Sequence, residues 1–461
     1  MENSNKDYLF RVQIIGKHIV KATDIHPLQP RLIRLSNLDL LCGRFPVTYL
    51  YLYPSHPYST STTIIESLKA SLGSTLNHYY PFVGRIATNP KTNEPEIICN
   101  NHGALLVEAH ANIPLPSIDF YNLNLSLQGK LVATDDDFPL QVQVTQFTCR
   151  GVSVTFTFDH ALGDASALGH FLRSWSQIAQ GKSISISRVP IVQRDNVFLP
   201  RSPPTYHASL DDTYVSCDMK DILENIPSND ISIKRLYHID AIHINRLQEV
   251  ASKEGFKRSK IEAFSAYIWK LMANSTKTSS ICTMGWLVDG RRRTNKSLSM
   301  SNYIGNVLSV ATGEANIEDL KEGSLFDVGE IVHSSILKAT NESHFLDLVD
   351  WIECHRPGLM LAKVVLGKGK GKGKVQSPCL VLSSAGRFPV AELDFGFGSP
   401  VLGTVCSTIN RIGTGYMNQR PSAKGDGSWV VAAIIWPGLA EALESDPDHV
   451  FQPITPTHLG F

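Results

Sequence analysis

A mixed α/β fold in two domains is what this sequence predicts, on three observations. The chain has 461 residues, long for one hydrophobic core and about right for two of ordinary size. Runs of β-branched and aromatic residues alternate with stretches whose apolar residues recur at helical spacing. Between residues 185 and 212 the pattern breaks into ISRVPIVQRDNVFLPRSPPTYHASLDD, with four prolines and no sustained period, a candidate crossover. The expected division is an N-terminal domain over 1–190, a crossover over 191–220 and a C-terminal domain over 221–461.

In chain order, strands are expected at Phe10–Ile15, Val47–Leu52, Pro95–Ile98, Gln141–Thr145 and Val152–Phe158, where β-branched and aromatic residues concentrate. Helices are expected at Ile64–Leu76 and at Ala165–Ile178, where Leu168, Phe171, Leu172 and Trp175 share one face. Beyond the crossover come a strand near Ile231–Ile239 and a helix near Asn245–Glu254. A longer helix, Lys260–Ala273, follows Ser259, which can cap its free N–H groups while Glu262 favours the first turn. Strands recur at Ile281–Val288, Cys379–Ser383 and Ser428–Ile435, and a last helix is expected after Pro437. Gly367–Lys374, GKGKGKGK, has nothing to pack and reads as a solvated surface loop; its glycines lack the strand-to-helix context of a phosphate-binding loop.

Forty-three basic residues balance forty-three acidic ones, so there is no summed positive field to hold nucleic acid or an anionic membrane surface. A small-molecule role is favoured. The N-terminal residues mix charge into their apolar stretch, unlike a signal peptide, and nowhere do eighteen apolar residues run together, so a cytosolic protein without membrane insertion is expected. The eight cysteines are scattered, with no CxxC pair and no histidine partners at zinc spacing. They read as reduced and mostly buried, and no metal site is expected.

The chemically informative segment is VSVTFTFDHALGDASALGHFLRSW, residues 152–175. A strand ends at Asp159, His160 follows at the turn, and a helix begins near Asp164. An imidazole at the exit of a buried strand is held by rigid elements on both sides while its ring can face a cleft, which general-base work requires. Gly163 permits a tight backbone path, and Asp164 fits a helix cap or an arginine partner better than direct catalysis. The same His-x-x-x-Asp spacing at His207–Asp211 has no strand before it and is assigned no role. DFGFG at 394–398 suggests a tight bend with two core phenylalanines, Phe395 and Phe397. Of the arginines in VDGRRR, one is a candidate to pair with Asp164 or Asp394, since guanidinium suits bidentate pairing.

Taken together, HALGD at 160–164 and DFGFG at 394–398 resemble the HxxxD and DFGWG signatures of the plant BAHD acyltransferases. LSNLD at 35–39, YYPFVGR at 79–85, IEAFSAYIWK at 261–270, DGRRR at 289–293 and YIGN at 303–306 match in order, so the resemblance covers nearly the whole chain. It implies two domains, each like half of a CoA-dependent acyltransferase, with a channel between them. His160 would be the general base, Asp164 would pair with Arg291, and Asp394, Gly396 and Phe397 would shape the site. Ser259 and Lys260 match a position that contacts CoA phosphate, and Arg387 one that grips an acceptor carboxylate. Phe397 and Ala385 stand where the family commonly has tryptophan, which leaves Ser383, Ser384 and backbone amides as candidate oxyanion donors.

Acyl-CoA would be a co-substrate and no other cofactor is implied; the partners would be that donor and a small alcohol or amine, handled by a monomer. SSAGRFP followed by DFGFG looks most like the coniferyl alcohol acyltransferases. Hydroxycinnamoyl transfer to oxygen or nitrogen (shikimate, quinate or amine acceptors) and a non-catalytic partner role in lipid elongation remain the alternatives.

Overall fold

The computed structural model describes residues 10–24, 31–55, 61–122, 127–185, 188–194, 196–218, 232–276, 279–294, 300–366, 377–406 and 414–461. Two large sheets organise them. The first has six strands in the order Val12–Val20, Ala104–Ala111, Leu140–Gln146, Val152–Asp159, Pro46–Tyr53 and Leu402–Cys406. The second has seven, in the order Leu308–Asn316, Ile281–Asp289, Cys379–Ser384, Gly415–Pro421, Trp429–Ile435, Ile233–Ile239 and Gln452–Pro453.

Val152–Asp159 runs antiparallel to both neighbours in the first sheet and is buried up to its last residue. Its apolar face packs on helix Ala165–Ala179, whose Leu168, Phe171, Leu172 and Trp175 are fully covered. Phe156 meets the Trp175 ring edge-on at 5.7 Å. Each such side chain contributes about 2 kcal/mol of burial, which fixes helix to sheet. Two of the alternate hydroxylic residues of the strand find partners inside: Thr157 Oγ1 lies 2.9 Å from Thr48 Oγ1, and Thr155 donates to the Leu131 carbonyl at 2.7 Å. Helix Lys260–Asn274 begins with a capping box, Ser259 accepting from the Glu262 amide and Glu262 from Ser259.

The expected two-part division is corrected in two places. Leu402–Cys406 returns to the first sheet and pairs with Pro46–Tyr53, Leu402 opposite Leu52 and Cys406 opposite Thr48. An apolar strand so placed covers what would otherwise be an open sheet edge. DFGFG likewise packs away from the C-terminal part, because Phe395 and Phe397 sit in the core built by the first sheet and its helix. The expected crossover 191–220 is also more ordered than its composition suggests. Ile191 bridges to Tyr303, Ser209–Thr213 is a short helix, and Tyr214–Cys217 pairs with Leu359–Ala362.

Smaller differences are of boundary and content. The helix expected from Asn245 begins at Ala241, and Leu325–Lys338 and Glu342–His355 are helices that the sequence reading did not identify. All eight cysteines are free, but only Cys282, Cys379 and Cys406 are buried. Gly367–Lys374 lies outside the described residues. No helix among the described residues is long and apolar enough to cross a membrane.

Candidate active site

Between the two sheets lies a cavity of about 1110 Å³, walled on one side by Pro46–Tyr49 and helix Ala165–Ala179 and on the other by strands of the second sheet. His160 stands on its wall. The turn that carries it is built from its neighbours. Asp159 accepts from the Ala161 amide at 2.9 Å, His160 N–H donates to the Phe45 carbonyl at 2.9 Å, and Gly163 N–H donates back to the His160 carbonyl at 3.1 Å. The imidazole stacks on the Phe45 ring, centroids 4.6 Å apart and planes 26° from parallel, a contact that helps to orient it.

Gly163 makes the turn possible. A Cβ there would stand 2.7 Å from the Ala167 Cβ and 3.4 Å from the Gly305 nitrogen. Gly163→Ala is therefore expected to cost about 1–3 kcal/mol of stability and to lower turnover by displacing the adjacent imidazole, measured by urea denaturation and steady-state rates on the same preparation.

Two buried ion pairs hold this turn, each spanning distant parts of the chain. Asp164 caps helix Ala165–Ala179 through the Ala167 amide at 3.1 Å, while its other oxygen accepts from Arg291 Nη1 at 2.8 Å and the Val307 amide at 3.0 Å. Arg291 donates on to the Gly305 carbonyl at 2.8 Å. Burial works against the Arg291 charge, but Asp164 and Asp289 outweigh it and hold the pKa above its ordinary value. In the second pair, Arg194 and Asp39 are both wholly buried at 3.1 Å. Arg194 donates to the carbonyls of Ala161 at 2.9 Å and Leu162 at 2.6 Å. Asp39 accepts from the Asn306 side chain at 2.9 Å, and that same amide group donates to the His160 carbonyl at 2.9 Å. The backbone on both sides of the imidazole is thus anchored through charge-assisted hydrogen bonds.

Of the residues singled out from sequence, His160, Arg291, Ser383, Ser384 and Arg387 line the cavity; Asp164 and Gly163 lie directly behind it. Ser384 Oγ donates to Gln419 Oε1 at 2.8 Å, so its single proton is engaged and Ser383 is the better placed hydroxyl. Asp394 is elsewhere. Its carboxylate accepts from the amides of Gly396 at 2.7 Å and Gly398 at 2.9 Å, forming the bend, and its carbonyl accepts from Ser176 Oγ at 2.8 Å. Phe397 meets Tyr53 edge-on at 4.8 Å in the core, so phenylalanine instead of tryptophan removes no donor from the cavity. Ser259 and Lys260 are outside the cavity lining, Ser259 being occupied with its helix cap.

Asp39, Arg194 and Asn306 were given no role from sequence. LSNLD and YIGN carried the signal for the first and third, but Arg194 lies in the irregular crossover, where nothing marked it. His170, one helical turn from Ser166, also faces the cavity; burial lowers its pKa to about 4, and Tyr79 Oη lies 2.6 Å from its Nδ1. The imidazole is neutral at pH 7 as a result. The lining carries Arg173, Lys234, Arg235, Arg291, Arg292 and Arg387 and the carboxylate Asp289, while Glu392, Glu444 and Asp164 behind it pair with Arg173, Arg235 and Arg291. That balance suits a polyanionic ligand.

A model of the Transferase family matches residues 10–450. Anthranilate N-benzoyltransferase protein 1 of Dianthus caryophyllus is 29% identical over 441 residues, 90% of this chain and 95% of that protein. Agmatine hydroxycinnamoyltransferase 1 of Oryza sativa subsp. japonica is 27% identical, covering 82% of this chain and 84% of that protein. Among solved structures, F. graminearum TRI101 complexed with coenzyme A and deoxynivalenol superposes with a TM-score of 0.74 over 92% of this chain and 99% of that one, at 15% identity. A likeness at that identity speaks to the fold.

Proposed function

The chain belongs to the BAHD acyltransferases, the Transferase family whose model it matches, and from that premise we propose that it acylates the hydroxyl of a small phenylpropanoid alcohol, such as coniferyl alcohol, from acetyl-CoA or a related small acyl-CoA. The observation that carries this reading is an oriented imidazole, His160, on the wall of a cavity shared by two sheets and lined by cationic side chains.

In the proposed reaction His160 accepts the acceptor's proton as its oxygen attacks the thioester carbonyl carbon. The tetrahedral oxyanion takes a hydrogen bond from Ser383 or a backbone amide, then collapses, breaking the carbon–sulfur bond. The departing thiolate recovers the proton from the imidazolium, leaving ester, free CoA and neutral His160. Asp164 and Arg291 hold the geometry, and cationic residues at the cavity attract the CoA phosphates. The reaction needs no cofactor beyond acyl-CoA and is proposed for a cytosolic monomer.

Transfer to an amine is the second reading, favoured by the likeness to an anthranilate N-benzoyltransferase and an agmatine hydroxycinnamoyltransferase. Purified protein incubated with a panel of acyl-CoAs and acceptors, products read by mass spectrometry, separates the two. Esters of aromatic alcohols are expected; amides in their place select the second reading. No product from any pairing overturns both and favours a non-catalytic role.

A further inference from the structure

Asn418 lines the cavity but has no place in the site described so far. It lies in strand Gly415–Pro421, where the parallel register sets it beside Ser383, another lining residue, so both side chains leave the sheet on its cavity face. Its Oδ1 accepts from Arg420 Nε at 2.7 Å. A guanidinium N–H can only donate, and that settles which way the amide is turned: the oxygen faces Arg420 and the Nδ2 group faces away. Nδ2 meets no acceptor among the described residues, and unlike the Arg420 Nη atoms, which are sealed in without a partner there, it keeps access to the cavity.

Arg420 is 1% exposed, and no carboxylate pairs with it among the described residues. Its guanidinium carbon rests instead 4.0 Å from the Phe388 ring centroid and 4.5 Å from that of Tyr49. A buried positive charge polarises the amide it bonds, which strengthens Nδ2 as a donor. Turning the amide over would set N–H against N–H and strand Nε in the interior, so the cavity is shown a donor and never the carbonyl.

The position of this donor fits one end of a substrate. Asn306, whose side chain bonds the His160 carbonyl at 2.9 Å, lies two residues before strand Leu308–Asn316. From that strand the second sheet runs through Ile281–Asp289 and Cys379–Ser384 to Gly415–Pro421. Three strand spacings, about 14 Å between backbones, therefore separate the edge beside the catalytic turn from Asn418. Leu287 and Val381, on the two strands between, give that interval an apolar wall. A small acyl group held at His160 does not span it, whereas an arylpropenyl alcohol with its hydroxyl at the imidazole extends its ring that way.

We propose that Asn418 Nδ2 donates a hydrogen bond to a hydroxyl or methoxyl oxygen on the acceptor's aromatic ring, and that Arg420 is the positioning residue that keeps this donor turned to the cavity. This deepens the acyl-transfer reading and rests on it for the identity of the ligand as an acceptor. A ring without such an oxygen leaves the amide unpaired after it has displaced the water there.

The test uses equilibrium binding, which needs no turnover. Calorimetry of the full chain saturated with free CoA compares coniferyl alcohol with cinnamyl alcohol, which lacks both ring oxygens. The wild type is expected to prefer coniferyl alcohol about tenfold. Asn418→Leu should lose most of that preference by weakening coniferyl alcohol alone. Arg420→Leu should lose part of it, because the amide is then free to turn, and Arg420→Lys, which keeps a donor for Oδ1, should restore much of that part. No preference in the wild type, an unchanged ratio in Asn418→Leu, or equal weakening of both alcohols overturns the proposal; equal weakening would point to the thioester carbonyl as the oxygen bound. An unchanged ratio in Arg420→Leu rejects the positioning role. Should Asn418→Leu fail to bind CoA, Asn418→Asp, of the same shape but without the N–H, decides: a retained preference overturns the proposal and its loss supports it. Failure of acyl transfer in the product screen, by contrast, would leave this binding ratio standing and would count only against the reaction.

Discussion

His160→Ala is expected to lower the turnover number for acyl transfer by about 10²- to 10⁴-fold, the usual worth of a positioned general base, with free CoA binding and the unfolding midpoint little changed. The expectation of intact folding comes from how the residue is held. The contacts that build the turn use the backbone of residue 160, donating to Phe45 and accepting from Gly163 and Asn306, and all of these survive removal of the ring. The ring contributes its stack on Phe45 and its position on the cavity wall. Single-turnover rates, CoA titration and urea denaturation on one preparation separate the cases. Turnover retained within a few-fold would reject His160 as the base.

Asp164→Ala should behave in the opposite way, losing stability and activity together. It leaves Arg291, whose side chain is 5% exposed, with only the partly exposed Asp289 carboxylate at 3.3 Å as counter-charge, and it uncaps the helix that follows the catalytic turn. Removing one partner of a buried pair costs about 3–5 kcal/mol, because the remaining charge loses its compensation without regaining water. Replacing Arg291 with leucine in the same background removes the stranded charge. The double variant should therefore be more stable than the sum of the single effects predicts by well over the ~0.5 kcal/mol seen for distant sites. Additive losses in urea denaturation would show that the pair does not act as a unit. The pair Asp39–Arg194 obeys the same logic, but it acts on the carbonyls of Ala161, Leu162 and, through Asn306, His160.

The contrast between the two variants follows from where each group sits. An imidazole at a cavity wall gives up ring contacts with Phe45 and Phe158 when it is removed, whereas a buried carboxylate shared by a helix cap, a guanidinium and a backbone amide leaves a charge and a helix end uncompensated. Chemistry and scaffold are adjacent in sequence here, four residues apart in HALGD, but separable by experiment.

Local signals made much of the fold legible. Residues 152–175 declare a buried strand, a turn and an amphipathic helix, because alternation and helical periodicity are properties of neighbouring residues. Helix Lys260–Asn274 announced its start through Ser259 and Glu262 for the same reason. The core position of Phe395 and Phe397 in a tight bend was readable, as was an arginine partner for a buried aspartate. Helices Leu325–Lys338 and Glu342–His355 were not identified, although their caps, Ser324 and Asn341, are ordinary ones.

What the sequence determined by itself, then, is each piece whose causes lie within one turn or one strand, and the ordered motifs that identify the family. Whereas the Asp164–Arg291 pair was already implied by the family motifs, tertiary structure alone decided other meetings of distant pieces, that Asp39 reaches Arg194 and Asn306 and that Leu402–Cys406 crosses back to Pro46–Tyr53. It also decided that Arg420 would lie against Tyr49 and Phe388. The physical reason is that an ion pair or a ring stack depends on proximity in space, and a chain brings its parts together only when the whole apolar interior closes around them.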